Sequence, residues 1–295
     1  MKKILLPTDF SKNAWNAIDY ALNFFKNEKC KFYLLNAYTP SFYRVDYMFG
    51  GPAQSAIPDI GVDLSLEGLE HAMERIKKEY KNPNHQFKAL SAFNTLTDEV
   101  REVCEDKKID MVVMGTQGAS GAKEFFLGSN TIHVIRKASV PVLAVPTKYA
   151  FKEIKKVLLP TGYWSKYKSK EIAPLLDLVK TFGATLHVVH VVEEHDLTKV
   201  QMENKKHLER LLEGVPTVFK DITDDYMPNG LHTYIEKNAI GLIAMMNRKH
   251  SFLERLVLKQ NVDAIGYHSA VPFLVLPDTA EISKIGNNEK YTLAH

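Results

Sequence analysis

The chain contains the same opening phrase twice. Lys2-Lys3-Ile4-Leu5-Leu6-Pro7-Thr8-Asp9 returns as Lys155-Lys156-Val157-Leu158-Leu159-Pro160-Thr161-Gly162. The two copies also close alike, on Ser139-Val140-Pro141-Val142-Leu143-Ala144-Val145-Pro146 and Ala270-Val271-Pro272-Phe273-Leu274-Val275-Leu276-Pro277. A duplication of this length makes each copy one folding unit, so any fold proposed for one must serve the other. The copies are not equal. The first carries a cluster of glycines suited to holding phosphate, and the second has lost it.

Both copies alternate short apolar runs with amphipathic stretches. In the first the runs are Lys3–Leu6, Lys31–Ala37, Gln86–Ala92, Met111–Met114 and Val140–Val145; several are almost continuous in Val, Ile and Leu, as in strands covered on both faces. Between them, Asn13–Phe25 places Ala14, Ala17, Ile18, Ala21, Leu22 and Phe25 on one helical stripe. Further helices are expected over about Leu64–Tyr80, over Leu96–Lys107 with Asn94 or Thr95 as N-cap, and from about Ser129. The second copy repeats the order, with strands at Lys156–Pro160, Ala184–Val192, Thr217–Ile222, Ile240–Met245 and Val271–Leu276. Strand–helix alternation predicts an α/β fold: two tandem doubly wound domains, each a five-stranded, mostly parallel sheet with helices on both faces. The expected boundaries are 1–147 and 153–278, joined by a junction too short for a free linker, with a polar tail over 279–295.

Pro7 and Pro160 stand 153 residues apart, whereas Pro141 and Pro272 stand 131 apart. The first copy therefore holds an extra loop, Thr39–Ile60, rich in Pro, Gly, Tyr and Phe. A loop of this length is uncommon without a role. A lid over the strand ends, a partner-docking flap and an insertion packed on its own side chains are all open readings.

Bulk properties remove several classes. A chain of 295 residues, 45% hydrophobic, suits two domains of about 150 residues each. A net charge of +3 with scattered basic residues argues against a nucleic-acid surface. Two cysteines, Cys30 and Cys104, indicate neither a disulfide framework nor a cysteine zinc site. No apolar run approaches the ~18 residues of a membrane span, and Ile4–Leu6 is broken at once by Pro7 and Asp9, so no secretory signal is read there. A cytoplasmic protein is expected.

The chemistry concentrates after the fourth run. Gly115-Thr116-Gln117-Gly118 is followed, after nine intervening residues, by Gly128-Ser129-Asn130 at the start of the last helix. Gly115 and Gly118 let backbone approach a ligand with no Cβ between. Gly128, Ser129 and Asn130 are expected to offer free backbone N–H groups, a hydroxyl and the positive end of a helix dipole, which together suit an anion. The cluster lies beyond a strand's carboxyl end, beside the Pro7-Thr8-Asp9 turn, where open α/β sheets bind ligands. A purely structural role for these glycine turns is the competing reading.

The opening Ile4-Leu5-Leu6-Pro7-Thr8-Asp9-Phe10-Ser11, the spaced glycine signature and the closing Val140–Pro146 together resemble the universal stress protein family, in its tandem form. The likeness covers most of both copies. It implies ATP binding in the first copy, with a divalent cation, magnesium or manganese, at the phosphates. By position it implies that Pro7 and Asp9 of the Pro7-Thr8-Asp9 turn border the adenosine and that Ala37 faces it. Met114 and Gly115 would flank the ribose, and Gln117, Gly118, Gly128, Ser129 and Asn130 would meet the phosphates. Asp9 has a second reading as a helix-capping residue, and Met114 as plain core.

Aligning Pro141 with Pro272 puts Met246 at Gly115, Lys249 at Gly118, Lys259 at Gly128 and Gln260 at Ser129; Gly162 replaces Asp9. The second copy is therefore not expected to hold ATP in this way. It completes a dimer-like core, or binds another anion through Arg248, Lys249, His250 and Lys259, or presents Ser251–Leu256 to a partner. His187, His190, His195 and His250 raise the question of metal, but the first two sit at i and i+3 of a strand and point to opposite faces.

No Walker A sequence, G-x-S-x-G elbow or H-E-x-x-H helix is present. Only Lys123 and Arg136 are near enough in sequence to stabilise phosphoryl transfer. A nucleotide-dependent stress regulator, with weak ATPase activity at most, is thus the first reading; an ATP-dependent enzyme with substrate under the 39–60 loop is the alternative. The runs at Val140–Val145 and Val271–Leu276 are expected to pair within the chain, hiding two edges in an intramolecular pseudo-dimer and leaving further homodimerisation and an unknown protein partner open. A proline at Val142 is expected to loosen both domains together.

Overall fold

The computed structural model describes residues 1–39, 60–116, 128–192, 197–223, 227–248 and 271–278. The loop over 40–59 and the tail over 279–295 lie outside them. In chain order the elements are β1 (Lys2–Pro7), α1 (Lys12–Phe24), β2 (Cys30–Tyr38), α2 (Ile60–Glu79), β3 (His85–Phe93), α3 (Leu96–Lys107), β4 (Met111–Gly115), α4 (Ser129–Lys137) and β5 (Val142–Val145). There follow β6 (Lys156–Pro160), α5 (Ser169–Phe182), β7 (Thr185–Val192), α6 (Lys199–Leu211), β8 (Thr217–Thr223), α7 (Met227–Asn238), β9 (Leu242–Asn247) and β10 (Phe273–Pro277). Every strand falls within two residues of a run read from the sequence. Thr95, rather than Asn94, caps α3, its side chain accepting from the Asp98 amide at 3.3 Å.

The described residues form two compact units, the first ending at Ala138 and the second beginning at Ser139. In the first, the strand order is β3-β2-β1-β4, with β1 parallel to both β2 and β4. The inner strands bury continuous apolar runs, as at Ile4, Leu5, Leu6, Phe32, Leu34, Leu35, Val112 and Val113. Helices α1 and α2 share one face, where Tyr80 donates to Asp19 and the Arg75 guanidinium lies 3.8 Å from the Trp15 ring centre. Helices α3 and α4 meet on the other, linked by Lys137 and Asp98 at 3.7 Å.

The second unit has strand order β5-β10-β9-β6-β7-β8. Strand β5, the last of the first repeat, lies in it and pairs antiparallel with β10, Leu143 opposite Leu274 and Val142 opposite Val275. All four of these side chains are buried. The sequence repeat and the compact unit thus divide the chain at different places, one strand apart.

The lysine before each apolar opening has the same task in both repeats. The Lys3 ammonium donates to the carbonyl of Lys107, the last residue of α3, at 2.7 Å; the Lys156 ammonium donates to that of Asn238, the last of α7, at 3.0 Å. A cation at a helix C-terminus satisfies an orphan carbonyl and meets the negative end of the dipole. Each helix then turns through a left-handed residue, Lys108 (φ 53°) or Ala239 (φ 52°), into the next strand.

Cys30 and Cys104 are both buried, and burial pushes each thiol up to about 12. Near neutral pH the thiolate, the reactive form, is then a minute fraction. Both should react with a disulfide reagent at least roughly a hundredfold more slowly in the folded chain than in denaturant. Rapid labelling of either under native conditions would contradict this placement.

Candidate functional site

Topology selects the place. From β1 the first unit runs outward through β2 to β3, then crosses back to the far side of β1 for β4. The carboxyl ends of β1 and β4 therefore border the point where the strand order reverses, and helices lead away from it in opposite directions.

Pro7 and Thr8 are buried at the end of β1, and Asp9 is exposed just beyond. The Thr8 amide donates to the Leu35 carbonyl at 2.8 Å, and the Thr8 hydroxyl accepts from the Phe10 amide at 3.0 Å. That tight turn places Phe10 at φ 61°, an uncommon conformation for a bulky residue. Asp9 Oδ1 accepts from the Ser11 amide at 3.0 Å, while Ser11 itself caps α1 by accepting from the Ala14 amide at 3.1 Å. Asp9 therefore braces the turn, and the helix cap belongs to its neighbour. At the end of β2 the buried Asn36 donates to the Thr8 carbonyl at 2.8 Å, and half-buried Ala37 follows it.

Across the switch point, Met114 is buried and Gly115 ends β4. The Gly128 amide donates to the Thr116 carbonyl at 2.7 Å, so it is not free as the sequence suggested. Thr131 supports the same junction, its hydroxyl donating to the Gly115 carbonyl at 3.0 Å. The exposed Ser129 and Asn130 begin α4, and among the described residues their amides meet no acceptor. Gly128, the N-cap, brings no side chain to shield them. These amides and the helix dipole face outward at the switch point and can receive an anion. Gln117, Gly118 and Lys123 lie outside the described residues. Arg136 is in the last turn of α4, about 10 Å along the axis from the first-turn amides.

The second repeat builds the same turn and then fills the space around it. Thr161 accepts from the Tyr163 amide at 3.1 Å, Tyr163 takes φ 55°, and His190, in the register position of Asn36, bonds the Thr161 carbonyl at 3.0 Å. Gln201 and Asn204 of α6 then donate to the Gly162 and Tyr163 carbonyls, both at 2.8 Å. Tyr163 and Tyr167 are buried, and burial raises the pKa of both phenols. The Trp164 ring covers Gly162, where a Cβ would lie 2.7 Å from it. Arg248, directly after β9, meets Glu171 at 2.6 Å and the Lys166 carbonyl at 3.0 Å. Lys249, His250, Ser251–Leu256, Lys259 and Gln260 lie outside the described residues, as does His195.

The strand histidines have separate partners, His187 the Tyr234 hydroxyl at 2.8 Å and His190 a backbone carbonyl. Burial, aided by Lys156, lowers the pKa of His187. Among the described residues no three His, Cys, Asp or Glu side chains are grouped to hold a metal, and no helix is long and apolar enough to cross a membrane. Sequence reasoning missed Asn36, Thr131 and Glu171. Only the equivalence of Asn36 and His190 across the repeat could have pointed to the first of these.

Comparison with known proteins agrees with this architecture. The Universal stress protein family matches twice, over residues 1–146 and 153–277. Universal stress protein MJ0577 of Methanocaldococcus jannaschii is 31% identical over 155 residues, 50% of this chain and 96% of that protein. Universal stress protein MJ0531 of the same organism is 33% identical over 146 residues, 49% of this chain and 81% of its own length. A solved universal stress protein from Archaeoglobus fulgidus DSM 4304 shares the fold over 92% of this chain and 95% of its own, with a TM-score of 0.64 at 19% identity.

Proposed function

The chain belongs to the universal stress protein family, and on that premise we propose that its first repeat binds one ATP and acts as a nucleotide-dependent regulator in the stress response. The adenosine is assigned to the Pro7-Thr8-Asp9 turn and Ala37, the ribose to Met114 and Gly115. The phosphates are assigned to Gln117, Gly118, Gly128, Ser129 and Asn130. Gly128 acts there as the bare N-cap that lets a phosphate approach, and Ser129 and Asn130 are the donors. A magnesium or manganese ion would travel with the phosphates, which supply most of its oxygen ligands, and Asp9 is the exposed carboxylate at this turn.

One observation carries the reading. Among the described residues the first-turn amides of Ser129 and Asn130 meet no acceptor at a strand-order reversal, whereas at the equivalent reversal in the second repeat Gln201, Asn204 and Glu171 engage the neighbouring groups. Regulation is preferred to catalysis because the sequence carries no Walker A lysine, and of the two candidate cations Arg136 stands about 10 Å along the helix from the amides.

Calorimetry of the full chain with ATP and magnesium should give one equivalent bound. Hydrolysis in a single turnover should be slower than about one per second. Two equivalents, or none, would overturn the assignment; faster hydrolysis would favour an ATP-dependent enzyme.

A further inference from the structure

The most unusual buried group in the chain is Arg248. Its side chain is 10% exposed, its guanidinium lies 5.5 Å from the Tyr167 ring centre, and its Nε is buried without a hydrogen bond. Asp278, after β10, approaches that Nε only to 3.8 Å. The strong contact is with Glu171, whose side chain is fully buried and whose Oε2 accepts from Arg248 Nη2 at 2.6 Å. The same oxygen accepts from the Lys168 amide at the start of α5, at 3.0 Å. Lys168 Nζ stands 3.5 Å from the other oxygen. A guanidinium, a helix-start amide and an ammonium thus converge on one carboxylate.

This donor set is what an oxyanion requires, and its position is informative. In the alignment of the repeats Arg248 takes the place of Gln117, directly beyond the strand at the switch point. We infer that Arg248, with the Lys168 amide, is an oxyanion receptor of the second repeat, and that Glu171 is the anion it already holds. The second repeat is then self-liganded: its own carboxylate occupies the site from within and closes it to phosphate. The likeness to the first repeat rests on the phosphate position proposed there, but the donor geometry around Glu171 stands without it. A bidentate-capable guanidinium suits carboxylate and phosphate alike, so removing the internal carboxylate opens the site to either.

The test is chemical rescue in the full chain. Glu171→Ala removes a CH2–carboxylate unit the size of acetate. Its Tm should fall by roughly 5–15 °C, the scale for a broken buried pair. Acetate or inorganic phosphate at tens of millimolar should restore about half the loss, over and above any shift the same anion produces in the parent chain. The double variant Glu171→Ala/Arg248→Met should show no rescue. Should the alanine variant not fold, Glu171→Ser, which empties the same space while keeping a hydroxyl at the helix start, is read in the same way, by anion-dependent stabilisation beyond that of the parent. A folded variant that gains no more from either anion than the parent does, or a double variant that gains as much as the single one, would overturn the inference. Because the readout is stability with acetate and phosphate, failure here leaves ATP binding by the first repeat untouched, and failure of ATP binding leaves the rescue readable.

Discussion

Replacing Ser129 by Glu is expected to lower ATP affinity about a hundredfold while leaving Tm unchanged or slightly raised. Ser129 is the first residue of α4, exposed, at the positive end of the helix dipole. Without ligand, a carboxylate there is favourable by about 0.3–1 kcal/mol. With a triphosphate present, two like charges roughly 6 Å apart at an effective dielectric of about 20 repel by about 2.8 kcal/mol, which is the hundredfold. The opposite signs of the two effects make the experiment decisive. Calorimetry and a thermal melt of the same sample suffice. An affinity within about threefold of the parent would place the phosphates elsewhere; lost affinity with a collapsed Tm would report damage to the fold instead.

The second large effect is expected at Val142. It is buried in β5, opposite Val275 of β10, and neighbours Leu143, which faces Leu274. Proline at Val142, the first residue of β5 and directly after Pro141, deletes the amide of the residue paired with Val275 together with a buried valine side chain, costing about 2–3 kcal/mol. The sequence predicts loosening of both domains together, but because β5 lies in the second unit the damage should fall chiefly there. Hydrogen exchange should show β5, β10 and β9 losing protection together. Unchanged protection in β10 would mean that the β5–β10 ladder contributes little to that unit.

Much of this was legible from residues alone. The parallel strands announce themselves as apolar runs because both faces are covered, and their period needs no knowledge of distant neighbours. The glycine signature after β4 and the Pro7-Thr8-Asp9 turn were equally local, and the family resemblance they carry in the first repeat agrees with the family match, which extends to both. Even the repeated lysine of the opening phrase, unexplained in the sequence, proves to be a simple device that caps a helix arriving from about a hundred residues away.

Other features were hidden because they depend on pairs distant in the chain. Gly128 looked like a phosphate donor, yet its amide closes on Thr116. Arg248 looked like a free cation for an anion, yet Glu171, 77 residues earlier, neutralises it. Glu171 itself gave no sign, since a glutamate in the first turn of a helix is ordinary and normally solvated.

By itself the amino-acid order determined the duplication, the strand–helix alternation and the unequal distribution of glycine between the repeats, since periodicity and turn chemistry act over a few residues. Only the tertiary structure decided that β5 stands with the second unit and that the Gly128 amide is spent on Thr116 while, among the described residues, those of Ser129 and Asn130 meet no acceptor. It also decided that the second repeat's switch point is filled from within. Those outcomes depend on which strand edge and which buried charge meet across long separations, and no local pattern records that.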